Sequence, residues 1–508
     1  MLRGSSSPWI RRRRRGLAIG AIGAIVALLV LGAGAFEGTA PAQTTQARPN
    51  VVLVMTDDQT VEQMRALERV RGQIGRAGTT FTRNFSTFPL CCPSRATYLT
   101  GQYSHNHGVQ GNMPPEGGFY KLDSRNTLPV WLRDAGYATA HIGKYLNGYG
   151  TRDPRQVPAG WQEWQGSVDP TTYNFFNYCL NENGRLVTYG GDPRLGTACP
   201  NAEQQRPRAY QGDLYSRKAV GYINRRAPAT KPFFLSVAYL APHGGGPNDG
   251  ERRCLGSAKP APRHRGAFAS APLPRPPGFN EPDVSDKPGF IRRLPRLGSR
   301  QIDRIRTDYQ CRRESLLAVD EGVGAMVKAL RAKGELENTL FIFTADNGFF
   351  QGEHRVQGGK LKVYEPSVRV PALMRGPGVP RDKRVDQLTG NIDLASTIVD
   401  AADATPLRTL DGVSLLKLAP RPSLFAGRDI VLQNGPRGGP GNPRYRAIRT
   451  SRYKYVEYVT GERELYDLLY DPYEQRSLHN SPRHAEVRQR LARRLARLAD
   501  CSGAGCRR

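Results

Sequence analysis

The sequence predicts an α/β fold in which an open sheet presents functional groups along one edge. Four apolar runs each end in polar residues, and an amphipathic segment with the period of a helix, Leu316–Leu330, precedes one of them. Short, continuous apolar runs are typical of buried strands. Because ligands bind outside the carboxyl ends of the strands in open α/β sheets, we expect these polar clusters to converge on one pocket.

The first predicted strand, Val51–Met55, leads directly into Asp57 and Asp58. Two adjacent carboxylates repel each other unless a cation lies between them. With Asp346 and Asn347 they form a set of oxygen ligands that suits Ca²⁺ or Mg²⁺ better than zinc, because no thiolate or imidazole accompanies them. Taken singly, such clusters are also typical of turns, caps or surface residues. The other runs are Ala138–Ala140 before Gly143 and Lys144, Phe233–Ala238 before Pro242 and His243, and Leu340–Phe343 before Asp346 and Asn347.

A short helix is predicted next to Cys91. Pro93 suits the first helical position and Gly101 suits the residue after the last, so Cys91 is expected just before the helix. A helix N-terminus attracts anions, and a thiol there beside Arg95 would have a lowered pKa and would be a candidate nucleophile. The alternative is a buried or disulfide-bonded cysteine.

Residues 1–42 are predicted to direct export. The run Arg11–Arg15 precedes the apolar, uncharged residues 17–36, as in secretory signals. Residues 33–35 and 40–42 each have the small-residue pattern of a signal-peptidase site, but the apolar stretch is also about long enough to span a bilayer. The sequence therefore predicts a cleaved signal peptide or a membrane anchor, with the rest of the chain secreted or held on the outer face of the cytoplasmic membrane.

Export favours disulfides among the eight cysteines, because disulfides persist in oxidising compartments. Six cysteines remain when Cys91 and Cys92 are set aside, and six allow fifteen connectivities. Proximity in sequence favours the pairs Cys179 with Cys199, Cys254 with Cys311, and Cys501 with Cys506.

The chain is strongly basic, with 74 Lys and Arg against 45 Asp and Glu, a formal net charge of +29. Such a charge suggests a polyanionic partner. No zinc-finger, helix-turn-helix or RNA-recognition pattern occurs, so nucleic acid is not the expected partner. A sulfated or otherwise acidic glycan fits better, and an arginine-rich surface without a specific ligand is the alternative.

Cys91 to Gly101 follow the pattern Cys-x-Pro-Ser-Arg-x-x-x-Leu-Thr-Gly. This pattern resembles the signature of the type I, formylglycine-dependent sulfatases, in which the first cysteine is oxidised to formylglycine after translation. The resemblance selects Cys91, because only Cys91 has Pro93 and Arg95 at the offsets that the formylglycine-generating maturation enzyme reads. The resemblance extends from Arg48 to about Leu478.

The fold that the resemblance implies is the alkaline-phosphatase-like sulfatase fold. A large central mixed sheet flanked by helices would occupy a catalytic domain, residues 48–420. A C-terminal subdomain, 421–508, would contain an antiparallel sheet and end in an amphipathic helix with Val487, Leu491, Leu495 and Leu498 on its apolar face. The segment 244–300, rich in Pro, Gly and Arg, is predicted to be a long loop at the pocket rim, either a substrate clamp or disordered padding.

The resemblance also implies roles for the site residues. One divalent cation, Ca²⁺ or Mg²⁺, would be bound by Asp57, Asp58, Asp346, Asn347 and the oxygen of oxidised Cys91. Arg95 would steady the formylglycine, while Lys144, His243 and Lys360 would hold the sulfate and stabilise the leaving group, with His243 or Lys360 as general acid. One hydroxyl of the hydrated aldehyde would attack sulfur, and the other would then expel sulfate. Lys360 lies in Gly359–Glu365, which resembles the lysine loop of the family, and His354 is a weaker pocket candidate.

One departure points to a branch of the family. Many arylsulfatases carry Gly-Lys-Trp-His, whereas Gly143–Asn147 reads Gly-Lys-Tyr-Leu-Asn. This form is similar to the N-acetylglucosamine-6-sulfatase branch, as are His105–His107 and the tyrosine-rich segment 453–467. It favours a sulfated aminosugar over an aryl sulfate. The alternatives are a phosphodiesterase or phosphonate monoester hydrolase on the same scaffold, or a non-catalytic protein that binds anionic glycans, if Cys91 is never oxidised.

Overall fold

The computed structural model describes residues 48–190, 199, 201–228, 230–246, 252–436 and 441–507. The predicted export segment, residues 1–42, lies outside the described residues. Among the helices of the described ranges, none combines the length and the apolar character needed to cross a bilayer. The chain from Arg48 onward forms one compact unit, and the proposed subdomain boundary at residue 420 stays a prediction.

Strands and helices alternate over much of the chain. The strands are β1 (Asn50–Thr56), β2 (Thr79–Phe81), β3 (Asn84–Phe85), β4 (Ala138–Gly143), β5 (Glu163–Ser167), β6 (Tyr178–Glu182), β7 (Arg185–Tyr189), β8 (Gln204–Arg206), β9 (Phe233–Ala238), β10 (Thr339–Ala345), β11 (Ala372–Arg375), β12 (Lys383–Val385), β13 (Thr389–Gly390), β14 (Ile430–Gln433), β15 (Tyr445–Arg449), β16 (Tyr453–Tyr458) and β17 (Arg463–Asp467). The helices are α1 (Glu68–Val70), α2 (Cys91–Thr100), α3 (Ser104–His107), α4 (Leu128–Asp134), α5 (Gln211–Arg226), α6 (Gly289–Arg292), α7 (Ser299–Ala332), α8 (Glu365–Val368), α9 (Asp393–Ala402), α10 (Leu415–Leu418) and α11 (Ala485–Leu498).

A mixed sheet of eleven strands dominates the described part of the chain, in the order β12-β2-β11-β10-β1-β9-β4-β5-β6-β7-β8. The neighbours β10, β1, β9 and β4 are mutually parallel. They are the four strands predicted from the apolar runs, so their polar ends lie at one edge of the sheet, as expected. The predicted α/β fold with a large mixed sheet is confirmed.

Strand β1 is a continuous apolar run because the sheet is covered on both faces. Val52 and Val54 belong to a hydrophobic cluster that includes residues of α5 and α7. Val51, Leu53 and Met55 belong to a second cluster, with residues of α2, α4 and α9. Sheets covered on both faces require apolar side chains at successive positions rather than at alternate ones.

The C-terminal strands β14 to β17 form an antiparallel sheet of four strands. Helix α11 packs against it through Leu491, Leu495 and Leu498, which share a hydrophobic cluster with residues such as Ile448 and Leu465. The predicted antiparallel sheet and amphipathic terminal helix are both confirmed.

Helix α2 begins two residues earlier than predicted. Its first residue is Cys91, the extended residue before it is Leu90, and Pro93 is the third helical residue. The first N–H groups of a helix have no partner within the helix, so proline is tolerated throughout the first turn and does not mark the first position alone. Gly101, with φ of 65°, ends the helix as predicted.

All three predicted disulfides are present: Cys179 with Cys199, Cys254 with Cys311, and Cys501 with Cys506. The second ties the loop segment to α7. Residues 252–300 of that segment are largely irregular but packed, since Ala258 and Ala261 lie in the main core. The disordered-padding alternative is therefore wrong for 252–300.

Candidate active site

The ends of the four parallel strands and the start of α2 meet at one place. The Cys91 sulfur lies 3.4 Å from Oδ1 of Asp57 and 2.9 Å from Nζ of Lys360. Lys144 donates a hydrogen bond to Asp57, and Lys360 donates one to Asp58. Both aspartates are buried. Side chains from β1, β4, α2 and the lysine loop thus contact one another directly.

Asp58 has a left-handed backbone, with φ of 64°, which is uncommon for a residue other than glycine. Three neighbours hold it. Its amide donates to Oδ1 of Asp346 at 3.1 Å, and Nδ2 of Asn347 donates to its Oδ1 at 2.6 Å. The guanidinium of Arg312 donates to its carbonyl oxygen. Strained backbone that is held by several specific contacts is typical of functional sites.

Arg95 connects three of the strand ends to α2. Its Nε donates to Oδ2 of Asp346 at 2.9 Å, and another nitrogen donates to the carbonyl oxygen of Lys144 at 2.8 Å. The same guanidinium lies 3.5 Å from Oδ2 of Asp57. The planar fork of arginine allows several fixed contacts of this kind at once.

His243 follows β9 and is the last of the predicted site residues that lie at this edge of the sheet. Its Nε2 lies 3.6 Å from Oδ2 of Asp58. Its Nδ1 is 2.7 Å from the carbonyl oxygen of Gly244, so Nδ1 carries a proton and Nε2 faces the carboxylates. Burial lowers the pKa of His243, although Asp58 and Asp57 act in the opposite direction.

The donor set fits a hard divalent cation. Asp57, Asp58, Cys91 and His243 each place a potential ligand atom within 4.8 Å of the others. The expectation that no imidazole accompanies the oxygen donors is therefore wrong, because His243 lies beside the two carboxylates. Burial opposes ionisation of Asp57, but Lys144 and the other nearby cations hold its pKa well below the usual value. Burial likewise raises the pKa of Asp58, but Lys360, His243 and Arg312 together hold this pKa below the usual value. Both carboxylates are therefore charged and suited to Ca²⁺ or Mg²⁺.

Asn347 supplies a further indication of a cation. It is fully buried, and its Oδ1 has no hydrogen-bond partner among the described residues. Its Nδ2 is used, since it donates to Asp58 and to the carbonyl oxygen of Gly348. A buried acceptor without a donor is costly unless something else, such as a metal ion, satisfies it. Burial, followed by the charge of Asp57, raises the pKa of the adjacent Asp346 to about 6.

The Cys91 thiol is not the activated nucleophile that the helix start and Arg95 suggested. Burial, followed by the charge of Asp57, raises its pKa to about 12. Arg95 does not reverse this, because its guanidinium already pairs with Asp346 and Asp57. Only thiolates are strong nucleophiles, so the unmodified side chain is inert at neutral pH. Neither Cys91 nor Cys92 forms a disulfide.

His354, the weaker candidate, makes its contacts elsewhere. Its Nδ1 lies 2.7 Å from Oε2 of Glu281, and its ring centre lies 4.3 Å from that of Tyr364. Two further residues that contact the predicted site residues were not predicted from the sequence. Arg312 lies in the middle of α7, and Tyr173 lies in a short turn after β5, where no local pattern marks them.

We expect Arg312→Met to weaken metal binding and activity by about 10- to 100-fold, as is usual when a residue that orients metal ligands is lost. The reason is that the Asp58 carbonyl would lose its charged donor. Metal titrations and kcat/KM provide the measurement. Arg313→Met is the matched control, because the Arg313 guanidinium stacks on Phe268 at 3.9 Å instead. Equal losses in both variants would contradict the assignment.

Comparisons with known proteins identify the family of the chain. The sulfatase family profile matches residues 49–404, and the profile for the C-terminal region of N-sulphoglucosamine sulphohydrolase matches 352–500. An arylsulfatase of Volvox carteri is 34% identical over 95% of this chain and 78% of its own. Human N-acetylglucosamine-6-sulfatase is 31% identical over 95% of this chain and 90% of its own.

Solved structures show the same fold. One, described as a complex with its substrate D-glucosamine-2-N,6-O-disulfate, has a TM-score of 0.73 at 23% identity and covers 88% of this chain and 97% of its own. The chain belongs to the sulfatase family and is a sulfuric ester hydrolase. Within that family, it is similar to the N-acetylglucosamine-6-sulfatases over most of its length.

Proposed function

We propose that this sulfatase removes sulfate from a sulfated aminosugar and that its nucleophile is a formylglycine made from Cys91 by a maturation enzyme. The observation that carries the proposal is the contact of Cys91 with Asp57 and Lys360 at the start of α2. An inert thiol among charged groups is explained if it is the precursor of another group. We further propose that Ca²⁺ is the cation and that the protein is exported.

The charges of the site suit an anionic ester. Three carboxylates are opposed by three cationic side chains, and the carbonyl of Asp58 accepts from a fourth. A divalent cation would supply Lewis-acid stabilisation to the same place. The site would then be net positive, as the binding of a sulfuryl group requires. The carboxylates are Asp57, Asp58 and Asp346, and the cations are Arg95, Lys144, Lys360 and Arg312.

The lysines have the protonation state that their proposed roles need. Burial opposes the charge of Lys360, but Asp58 and its neighbours raise the pKa of Lys360 above the usual value. Lys144 is held protonated in the same way by Asp57. Lys144 and Lys360 would therefore hold the sulfate oxygens, and Lys360 would keep a proton at Nζ for the leaving oxygen. His243 is the second candidate for that acid, but burial lowers its pKa and so favours the neutral imidazole, which makes Lys360 the better choice.

The proposed substrate rests on three supports. The segment Gly143–Asn147 lacks the second histidine of many arylsulfatases, and relatives named N-acetylglucosamine-6-sulfatase match most of the chain. The fold neighbour with bound substrate holds a 6-O-sulfated glucosamine. The relative named arylsulfatase is of similar identity, so activity must decide between the two classes.

We expect terminal N-acetylglucosamine-6-sulfate to be hydrolysed with a higher kcat/KM than an aryl sulfate. Discrimination lies in transition-state binding, so kcat/KM is the quantity to compare. The panel should include other positional isomers of the sulfated sugar, a phosphate diester and a phosphonate monoester. If the preference depends on glycan charge, moderate salt will weaken it through screening. If an aryl sulfate has a higher kcat/KM than every sulfated sugar, the proposed substrate class is wrong. If a phosphate diester or phosphonate monoester has the highest kcat/KM, the protein is a phosphodiesterase or phosphonate monoester hydrolase instead.

A further inference from the structure

Tyr173 lies between two of the side chains proposed to hold the sulfate. The Nζ of Lys144 is 4.6 Å from the centre of the Tyr173 ring, and the ring of His243 is 5.0 Å from it, centre to centre. An ammonium at this distance over an aromatic face is attracted by the ring. One aromatic side chain therefore contacts both the lysine and the histidine.

The Tyr173 ring is itself fixed at its far end. Nδ2 of Asn147 donates a hydrogen bond to the Tyr173 hydroxyl at 2.5 Å. Asn147 is buried and lies three residues after Lys144, in the loop that follows β4. The backbone is also held, because the amide of Gly246 donates to the carbonyl oxygen of Tyr173 at 2.9 Å. The loop that delivers Lys144 thus also orients the ring against which Lys144 rests.

The position of Lys144 depends on a balance between competing partners. Its ammonium donates to Asp57, one of the proposed metal ligands. A lysine side chain is flexible and carries a compact charge, so a single partner does not fix the direction of its ammonium. The ring of Tyr173 supplies a second attraction, so the ammonium of Lys144 lies between Asp57 and the ring that also contacts His243.

We propose that Tyr173 is a positioning residue for sulfate binding: its ring orients Lys144 and His243, and Asn147 orients the ring. This inference rests on the proposed function of the site as a sulfate-ester pocket. The ring, not the hydroxyl, makes the contact with the ammonium. Asn147 follows directly after Tyr145 and Leu146, the two positions at which the segment Gly143–Asn147 departs from the arylsulfatase pattern.

Four variants test the proposal. Tyr173→Leu removes the ring, Tyr173→Phe keeps the ring and loses the hydroxyl, and Asn147→Ala frees the hydroxyl. Tyr189→Leu is the matched control, because Tyr189 also faces a lysine, Lys218 at 5.9 Å, but outside the site. The measurements are the Kd for inorganic sulfate by calorimetry, KM and kcat on the sulfate ester, and Tm.

We expect Tyr173→Leu to raise the Kd for sulfate and KM by about tenfold, within the range of a buried cation–π contact, with a smaller change in kcat. Tyr173→Phe should stay within about threefold of the parent, and Asn147→Ala should lie between them. Tyr189→Leu should leave both constants unchanged even if its Tm falls.

The proposal is overturned if Tyr173→Leu leaves the Kd for sulfate unchanged, or if Tyr173→Phe is as damaging as Tyr173→Leu. It is also overturned if the parent protein binds no sulfate. Failure of the proposed function gives a different result, since the parent would then bind sulfate without hydrolysing any ester, and the variants would still differ in Kd.

Discussion

Cys91→Ala is expected to lower kcat/KM by about 10³-fold or more, the scale seen when a covalent nucleophile is removed. The variant keeps Asp57, Lys144 and Lys360, so sulfate binding should persist while turnover is lost. The loss should therefore appear in kcat and not in the Kd for sulfate. Initial rates on a sulfated sugar, with calorimetry on inorganic sulfate, make the measurement.

Modification of Cys91 can be followed in one tryptic peptide, Asn84–Arg95, which contains both Cys91 and Cys92. Formylglycine replaces sulfur and two hydrogens by one oxygen, so the modified peptide is lighter. Protein from a host without the maturation enzyme should be folded, unmodified and nearly inactive. Pro93→Ala should reduce the modified fraction and the activity in proportion.

Cys92→Ala is the matched control, because Cys92 packs in the core beside the same helix start and lacks the maturation offsets. It should lose some stability and keep its modification and turnover. Full activity with an unmodified thiol at Cys91 would refute the mechanism, and modification at Cys92 instead would refute the choice of residue.

The polar residues at the sheet edge could be predicted because the signals for them lie close together in the sequence. Each of β1, β4, β9 and β10 is a short apolar run, and the polar residues that end each run follow it within the same few positions. Parallel pairing then brings the ends together without any further information. The disulfides were predictable by proximity for the same reason, since the three pairs are 20, 57 and 5 residues apart.

The remaining features depend on contacts between distant parts of the chain. Arg312 donates to the carbonyl oxygen of Asp58, which lies 254 residues away in the sequence. The hydrophobic periodicity of α7 predicts the apolar face of the helix but not the partners of its polar residues. The sign of the Cys91 pKa shift depends on burial and on Arg95 being paired with Asp346. A helix N-terminus and a nearby arginine, read from sequence alone, predict the opposite shift.

Removal of the divalent cation is expected to abolish activity and to leave the protein folded. Asp57 and Asp58 are buried, but each keeps a lysine partner, Lys144 and Lys360 respectively. The folded chain therefore does not depend on the metal to neutralise these carboxylates. Bound metal still stabilises, by about 2.7 kcal/mol when free metal is 100 times its Kd, so chelation should lower Tm measurably. Ca²⁺ should restore both activity and Tm, and comparison with Mg²⁺ decides between the two.

Asp57→Ala should remove both metal and activity, because it deletes a charged ligand at the centre of the site. Asp320→Ala is the control for stability. Asp320 is a buried carboxylate that accepts from the amides of Arg69 and Val70, away from any proposed ligand. The variant Asp320→Ala should lower Tm and leave the metal content unchanged. Unchanged metal content in Asp57→Ala would refute the assigned site.

Asn347 gives the sharpest test of the cation, since its buried Oδ1 has no donor among the described residues. Asn347→Asp keeps an oxygen at that place and adds charge, so it should retain metal binding. Asn347→Leu has a similar volume and no oxygen, so it should lose metal affinity while sparing the fold. Metal content by elemental analysis and the Tm shift on adding Ca²⁺ report the difference. If Asn347→Leu binds metal as tightly as the parent does, the Oδ1 of Asn347 does not bind the cation, and Asn347 is not a metal ligand.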